Sequence, residues 1–337
     1  MSSAGTATIF GAYGHTGRFV VAELRRRGWT LVVAGRNAGK LHELAAQHGD
    51  IEARVASVDL PETLDRALAG SALVVNCAGP FLDTADPILE AALRSGSHYL
   101  DVTAEQSSAA ATHERFDEPF RKAALVAVPA MGFFGGLADL LATAAMQGQE
   151  TADEIRIGIG LDSWRPTQGT RITGQRNKAR RLTVAHGVLA PLPDPAPTHS
   201  WQFPEPFGTQ EVVELPFSEV ILIARHLRVS ALHTYLNLAP LKDLRNPETP
   251  APTAADETGR SAQTFIVDVL AKMGAQTRRV TAQGRDIYAV TAPLVAEAAE
   301  RILEGGVRNG GVYAPGEIFD APTFLRALTP GHLLFQI

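Results

Sequence analysis

Apolar residues gather into six short runs over the first third of the chain: Thr8–Phe10, Leu31–Ala34, Val55–Val58, Leu73–Asn76, Tyr99–Val102 and Leu125–Val128. Several are rich in β-branched residues, as expected of strands covered on both faces. Helical periodicity fills the intervals. Val20, Val21 and Leu24 follow the first run, Leu41, Leu44 and Ala45 the second, and Ile88, Leu89, Ala92 and Leu93 the fourth. Strand and helix alternating in this way predict an α/β fold built on a doubly wound parallel sheet.

Beyond Leu141 the alternation stops. Ile155–Ile159 and Ser218–Ile223 read as strands with no helix after each, while Phe265–Val269 and Asp286–Val290 read as further strands and Leu294–Leu303 as a helix. The proline-rich stretches 191–197 and 246–252 read as loops, because proline joins neither a ladder nor a helix interior. Two domains result: a dinucleotide-binding domain over 1–140, completed by 291–337, and a mixed α+β domain for substrate and dimerisation over 141–290.

Between the first run and the first helix lies Gly11-Ala12-Tyr13-Gly14-His15-Thr16-Gly17. In a strand–turn–helix setting these glycines have separate jobs: Gly11 allows the tight turn, Gly14 lets the backbone approach a pyrophosphate, and Gly17 permits close helix–strand packing. The helix N-terminus then offers free N–H groups to the anion. This is a Rossmann-type dinucleotide site. Its cofactor is read after the second strand, where an NAD site usually carries an acid. Here stands Gly35-Arg36-Asn37 with Lys40 one turn on, a cationic set suited to a 2′-phosphate, so the expected cofactor is NADP(H). Asp59 either meets the adenine edge or caps a loop. The turn Cys77-Ala78-Gly79-Pro80-Phe81 follows the fourth strand and is expected to line ribose and nicotinamide; Cys77 reads as a small packing residue rather than a nucleophile.

Composition narrows the class. Hydrophobic residues make up 45% and charged residues 20% of 337 residues, with a net charge of −5, a balance that points away from nucleic acid. No apolar run reaches membrane-spanning length and no signal pattern opens the chain, so the expected setting is the cytoplasm, without a membrane span. One cysteine excludes a multi-cysteine metal site, and the ten histidines show no paired helical spacing, so no metal is expected.

The chain resembles the saccharopine dehydrogenase-like family through Gly11–Arg18, Ala34–Arg36, Asn76–Phe81, Ser97–Glu105 and Gly132–Ala142, and less specifically through Gly169-Thr170 and Gly311–Leu328. The family usually has a Gly-x-x-Pro-Gly loop where this chain has Gly132-Phe133-Phe134-Gly135-Gly136, so Gly135 replaces the proline. The resemblance implies a reductase acting through imines, or a trans-acting enoyl reductase that saturates C=C bonds. The Ala78–Phe81 turn and Glu105 are similar to the enoyl branch. Ala104 and Gly136-Leu137-Ala138-Asp139 depart from it, standing where that branch has glycine and a Pro-Ser-Asp turn.

Hydride transfer also needs a proton source and a polarised acceptor. Tyr99, Asp101 and Glu105 at the end of the fifth strand are candidates, as is Tyr13. Strand alternation puts Tyr99 and Asp101 on one face. Three of the four have a plain alternative: Asp101 as a helix cap, Glu105 as a carboxylate at a helix N-terminus, Tyr13 as packing. No tyrosine has a lysine four residues later, so the short-chain dehydrogenase pair is missing. For the substrate, small or carrier-bound, the candidates are Gly132, Phe133, Phe134, Thr170 and Arg171, the last two lying in a polar stretch that reads equally as a solvated face. The expected assembly is a homodimer, with the 132–139 and 168–177 segments completing a crevice between the domains.

Overall fold

A computed structural model describes residues 4–49, 51–305 and 309–337. The chain opens with β1 (Ala4–Phe10), α1 (His15–Arg26), β2 (Trp29–Gly35), α2 (Ala38–His48), β3 (Glu52–Val55), α3 (Pro61–Leu68), β4 (Leu73–Asn76), α4 (Phe81–Ser95), β5 (His98–Asp101), α5 (Gln106–Lys122) and β6 (Val126–Val128). The irregular segment Phe133–Leu137 leads to α6 (Ala138–Met146), β7 (Thr151–Leu161), α7 (Gln168–Arg176), β8 (Leu182–Ala185), β9 (Val188–Pro191), β10 (Thr198–Gln202) and β11 (Thr209–Glu214). Then come α8 (Glu219–His226), β12 (Arg228–Asn237), α9 (Leu238–Arg245), β13 (Thr264–Met273), β14 (Gln276–Arg285), α10 (Thr291–Leu303), β15 (Gly311–Val312), α11 (Pro315–Ile318), α12 (Ala321–Ala327) and β16 (Leu333–Gln336).

Two compact units divide these elements, one formed by 1–132 with 291–313, the other by 133–290 with 314–337. The expected boundary at 140 therefore moves back to 132, and only part of the tail returns to the first unit. The reason lies in pairing: β16 hydrogen-bonds to β14 as an antiparallel neighbour, which keeps the end of the chain in the second unit.

In the first unit the described strands form one parallel sheet in the order β15-β6-β5-β4-β1-β2-β3. The order reverses between β4 and β1, the switch point where such sheets bind ligands outside their strand ends. Val20, Val21 and Leu24 of α1 and Ile88, Leu89 and Ala92 of α4 are buried, as their spacing predicts. One strand departs from the sequence reading. The third covers Glu52–Val55, not Val55–Val58, because it is an edge strand whose residues stay partly or fully exposed, so an apolar run is no guide to it. Arg27 binds Glu300 at 2.6 Å and Glu297 at 3.1 Å and so ties α10 to the end of α1.

The second unit is built on a mixed sheet, β10-β11-β12-β7-β13-β14-β16, with β8 beside β12 and β9 beside β8; β7 and β12 run parallel and the other neighbours antiparallel. Two predicted strands are absent from it. Ser218–Ile223 lies in the start of α8, where Val220, Ile221, Leu222 and Ile223 are all buried. A helix covered on every side shows the same unbroken apolar run as a buried strand, and periodicity cannot separate them. Asp286–Val290 is a turn: Asp286 has φ +59°, and its carboxylate accepts the amides of Tyr288 and Ala289 at 3.0 Å each and of Ser261 at 2.7 Å. Among the described residues no helix is long and apolar enough to cross a membrane.

Candidate functional site

The glycine loop leaves β1 and turns at once into α1. Gly11 has φ +78°, a conformation that side chains resist, and its amide donates to the Ala34 carbonyl at 2.8 Å. A Cβ on Gly17 would stand 2.4 Å from the Gly11 oxygen, so only glycine lets the helix seat this close. Gly14 caps α1 without a side-chain hydrogen bond, and no acid occupies the first turn. That end of the helix keeps its positive field for an outside anion. Ala12 is buried, and His15 meets Phe19 edge-on at 5.3 Å; Thr16 lies in the same first turn.

At the end of β2 the cationic set is exposed. Among the described residues no hydrogen bond or ion pair engages Arg36. Asn37 caps α2, its side chain accepting the Lys40 amide at 3.0 Å. The Lys40 ammonium sits 5.8 Å from the centre of the Tyr13 ring, and that ring lies against Gly35, 2.8 Å from where a Cβ would be. The Tyr13 ring thus packs at the end of the second strand, between Gly35 and Lys40. Asp59 accepts from the Ser57 hydroxyl at 3.2 Å in a turn after β3.

A buried hydrogen-bond network underlies the turn after β4. Asn76, fully buried, accepts the Ala78 amide at 3.0 Å and donates to Thr84 Oγ1 at 3.1 Å and to the Tyr99 hydroxyl at 3.4 Å. Thr84 in turn donates to the Ala78 carbonyl at 2.6 Å. The Tyr99 hydroxyl donates to Asp101 Oδ2 at 2.9 Å, while Asp101 Oδ1 accepts the amides of Thr103 at 2.9 Å and Ala130 at 2.8 Å. Burial pushes the Asp101 carboxyl up to about 6 against the pull of these donors, and burial followed by the Asp101 charge raises the Tyr99 hydroxyl well above its ordinary value. Tyr99 and Asp101 share one strand face, as alternation predicts, but both are enclosed and fully partnered. Neither has an atom left for substrate, and Asp101 caps no helix. Part of the Cys77 residue reaches solvent, yet desolvation of the thiol, with the Asp101 charge, pushes it up to about 12, far from a nucleophile's range.

Glu105 differs. It is 1% exposed, and its Oε1 accepts the Phe81 amide at 2.8 Å at the start of α4, just past Gly79-Pro80. Oε2 is buried without a hydrogen-bond partner. Burial pushes the carboxyl up, against the amides of Phe81 and Leu82; the charges of Asp101 and Asp83 push the same way as burial.

The substrate candidates divide between the units. Gly132 donates its amide to the Ala130 carbonyl at 2.8 Å in the first. Phe133 is buried against Phe265, ring centres 4.8 Å apart, and serves the core of the second. Half-buried Phe134 stacks on Trp164 at 5.3 Å and meets Phe217 at 4.2 Å. The Trp164 indole donates to the Tyr288 hydroxyl at 3.1 Å, and that hydroxyl is 3.0 Å from Thr170 Oγ1. Phe134 and Thr170 are therefore joined through Trp164 and Tyr288, two residues that sequence reasoning missed. Tyr288 also borders a cavity with Asp162, Arg165, Ser261 and Gln263. Arg171 points elsewhere, holding the carbonyls of Thr249 at 2.8 Å and Asn246 at 3.2 Å. Gly135 has φ +111°, which a proline ring cannot adopt, so the loop that resembles Gly-x-x-Pro-Gly has a different path here.

An uncapped helix behind a glycine turn, at the switch point of a parallel sheet, defines a dinucleotide-binding domain. Residues 7–125 match the family described as the saccharopine dehydrogenase NADP binding domain. Over those residues the first unit is similar to that domain, and NADP(H) is the cofactor the match supports. Among curated relatives, a rat saccharopine dehydrogenase-like oxidoreductase is 27% identical over 150 residues, 39% of this chain and 35% of that one. A probable mitochondrial saccharopine dehydrogenase-like oxidoreductase of Arabidopsis thaliana is 31% identical over 140 residues, 37% and 31% of the two chains. These alignments span about a third of the relatives' length. Across the whole chain the fold is similar to apo saccharopine dehydrogenase (L-Glu forming) of Saccharomyces cerevisiae, with TM-score 0.69, 12% identity, and 98% and 99% of the two chains covered.

Proposed function

We propose that this protein is an NADPH-dependent reductase that delivers hydride to a C=N or C=C bond of a small or carrier-bound metabolite. One observation carries the reading: the glycine cradle and uncapped helix α1 stand beside an Arg36 that no group among the described residues engages. The cradle receives the pyrophosphate on backbone N–H groups, and Arg36 with Lys40 receives the 2′-phosphate. Bound NADPH supplies the hydride; the protein supplies position and electrostatics. Asn76 and Thr84 fix the turn Cys77–Phe81 that borders the ribose and nicotinamide. Phe134, Trp164, Tyr288 and Thr170 form the substrate-facing wall of the second unit. Of Tyr99, Asp101 and Glu105, only Glu105 has a buried side-chain oxygen with no hydrogen-bond partner among the described residues.

The test is NADPH consumption by the purified protein on separate panels of imines and enoyl compounds. Turnover on one panel supports the reading and chooses the bond. Tight NADPH binding without turnover on either favours a cofactor-binding regulatory protein, and a preference for NADH favours an amino-acid dehydrogenase. A cytoplasmic setting, which the single cysteine suits, and a homodimer belong to the proposal; fractionation and light scattering test them.

A further inference from the structure

Between Asp162 and Asp194 the chain carries six cations and no acid, in a protein whose net charge is −5. Five of the six are arginines, Arg165, Arg171, Arg176, Arg180 and Arg181, with Lys178 among them. Elsewhere arginines pair with acids, as Arg27 does with Glu300 and Arg279 with Asp268, each at 2.6 Å. Four of these five are held differently. Arg171 donates to the carbonyls of Thr249 and Asn246, Arg180 to that of Leu192 at 3.1 Å, and Arg165 to the Thr253 hydroxyl at 3.1 Å. Arg181 donates to the Pro216 carbonyl and also feels the charge of buried Glu219. A carbonyl or hydroxyl fixes a guanidinium without cancelling its charge. Among the described residues nothing engages the Lys178 ammonium.

The same segment leaves a surface uncovered. Most helices in proteins owe their stability to a buried apolar face, yet α7 buries none of its residues, and its Ile172 is 40% exposed. Arg181 lies over the Phe217 ring at 4.8 Å, and Phe217 meets Phe134 at 4.2 Å, so the positive segment adjoins the aromatic wall assigned to substrate. Arginine forks suit compact anions with paired oxygens, and their excess over lysine favours phosphoryl groups over the scattered carboxylates of an acidic protein. A single carboxylate would occupy one fork. Several forks held in place call for a handle with several phosphoryl groups. We propose that the 165–181 segment binds the phosphates of a coenzyme A thioester, making coenzyme A the carrier of the substrate. This rests on the reading of the protein as a reductase of a carrier-bound metabolite, and names that carrier.

The test is calorimetric titration with coenzyme A and with pantetheine, which lacks the phosphates, without turnover. Saturating NADPH is present throughout, to keep coenzyme A out of the glycine cradle. Wild type is expected to bind coenzyme A about tenfold or more tighter than pantetheine, with an affinity that falls as salt rises. Arg180→Gln and Lys178→Gln should each weaken coenzyme A binding by about three- to tenfold, because both cations are exposed and partly screened, and leave pantetheine unchanged. Should Arg180→Gln fail to fold, Lys178→Gln carries the test, since its side chain has no partner among the described residues to lose. Equal binding of coenzyme A and pantetheine, unchanged affinity in the variants, or binding of an acidic acyl carrier protein without coenzyme A overturns the proposal. NADPH titrated alone separates the two readings: its failure to bind refutes the reductase reading, whereas phosphate-dependent binding of coenzyme A that Lys178→Gln weakens supports this surface either way.

Discussion

Replacing Asp101 by asparagine tests whether this carboxylate is a structural staple or a proton carrier. Burial, opposed by the Ala130 and Thr103 amides and the Tyr99 hydroxyl, lifts its pKa from an ordinary 3.8 to about 6. A folded-state value above the unfolded one means that the folded protein binds the proton more tightly. The stability from that proton is complete below about pH 4 and is lost as the pH rises through about 6. Two units at about 1.4 kcal/mol each set its size at ~3 kcal/mol. Asparagine does not titrate. Wild type should therefore gain about 3 kcal/mol on Asp101→Asn between pH 7 and pH 4, whatever the offset between them at neutral pH. Urea unfolding of both proteins across that range, followed by circular dichroism, measures the difference. Parallel stability curves would show that Asp101 is not buried and partnered as described, and would return it to the candidates for proton transfer.

Three further outcomes follow from the same contacts. Arg36→Ala should weaken NADPH binding by roughly 10- to 150-fold, nearer the lower figure because the arginine is exposed, and leave NADH almost untouched; equal loss of both by titration refutes the 2′-phosphate assignment. Gly17→Ala should instead abolish binding of both cofactors, since its Cβ would stand 2.4 Å from the Gly11 oxygen; retained affinity in the same titrations means that the helix does not seat there. In the second unit His226 lies 2.7 Å from Asp139; burial lowers its pKa, but the Asp139 charge and hydrogen bond outweigh this and hold it raised. That stability is present below the ordinary histidine range and lost as pH rises through the raised value, so His226→Gln should lower Tm more at pH 5.5 than at pH 8.5, and a uniform drop in thermal melts counts against the ion pair.

What the sequence reveals depends on how local the cause is. Gly11, Gly14 and Gly17 were readable because each answers a demand made within seven residues of backbone, and Arg36 because it fills one position after one strand. Helix α8 was not, because Val220–Ile223 is buried on all sides and loses the periodicity that marks an exposed helix. Edge strand β3 failed for the opposite reason, too much exposure. The site's chemistry is the least local of all. Asn76 meets Tyr99 across 23 residues, Asp101 meets Ala130 across 29, and Trp164 meets Tyr288 across 124. One local sign of the network was available: an asparagine ends the otherwise apolar strand Leu73-Val74-Val75-Asn76, and a polar side chain in that position must find partners. The same rule separates the three acids and phenols read as catalytic after the fifth strand. Tyr99 and Asp101 found their partners inside the protein, whereas Glu105 Oε2 is buried with no hydrogen-bond partner among the described residues.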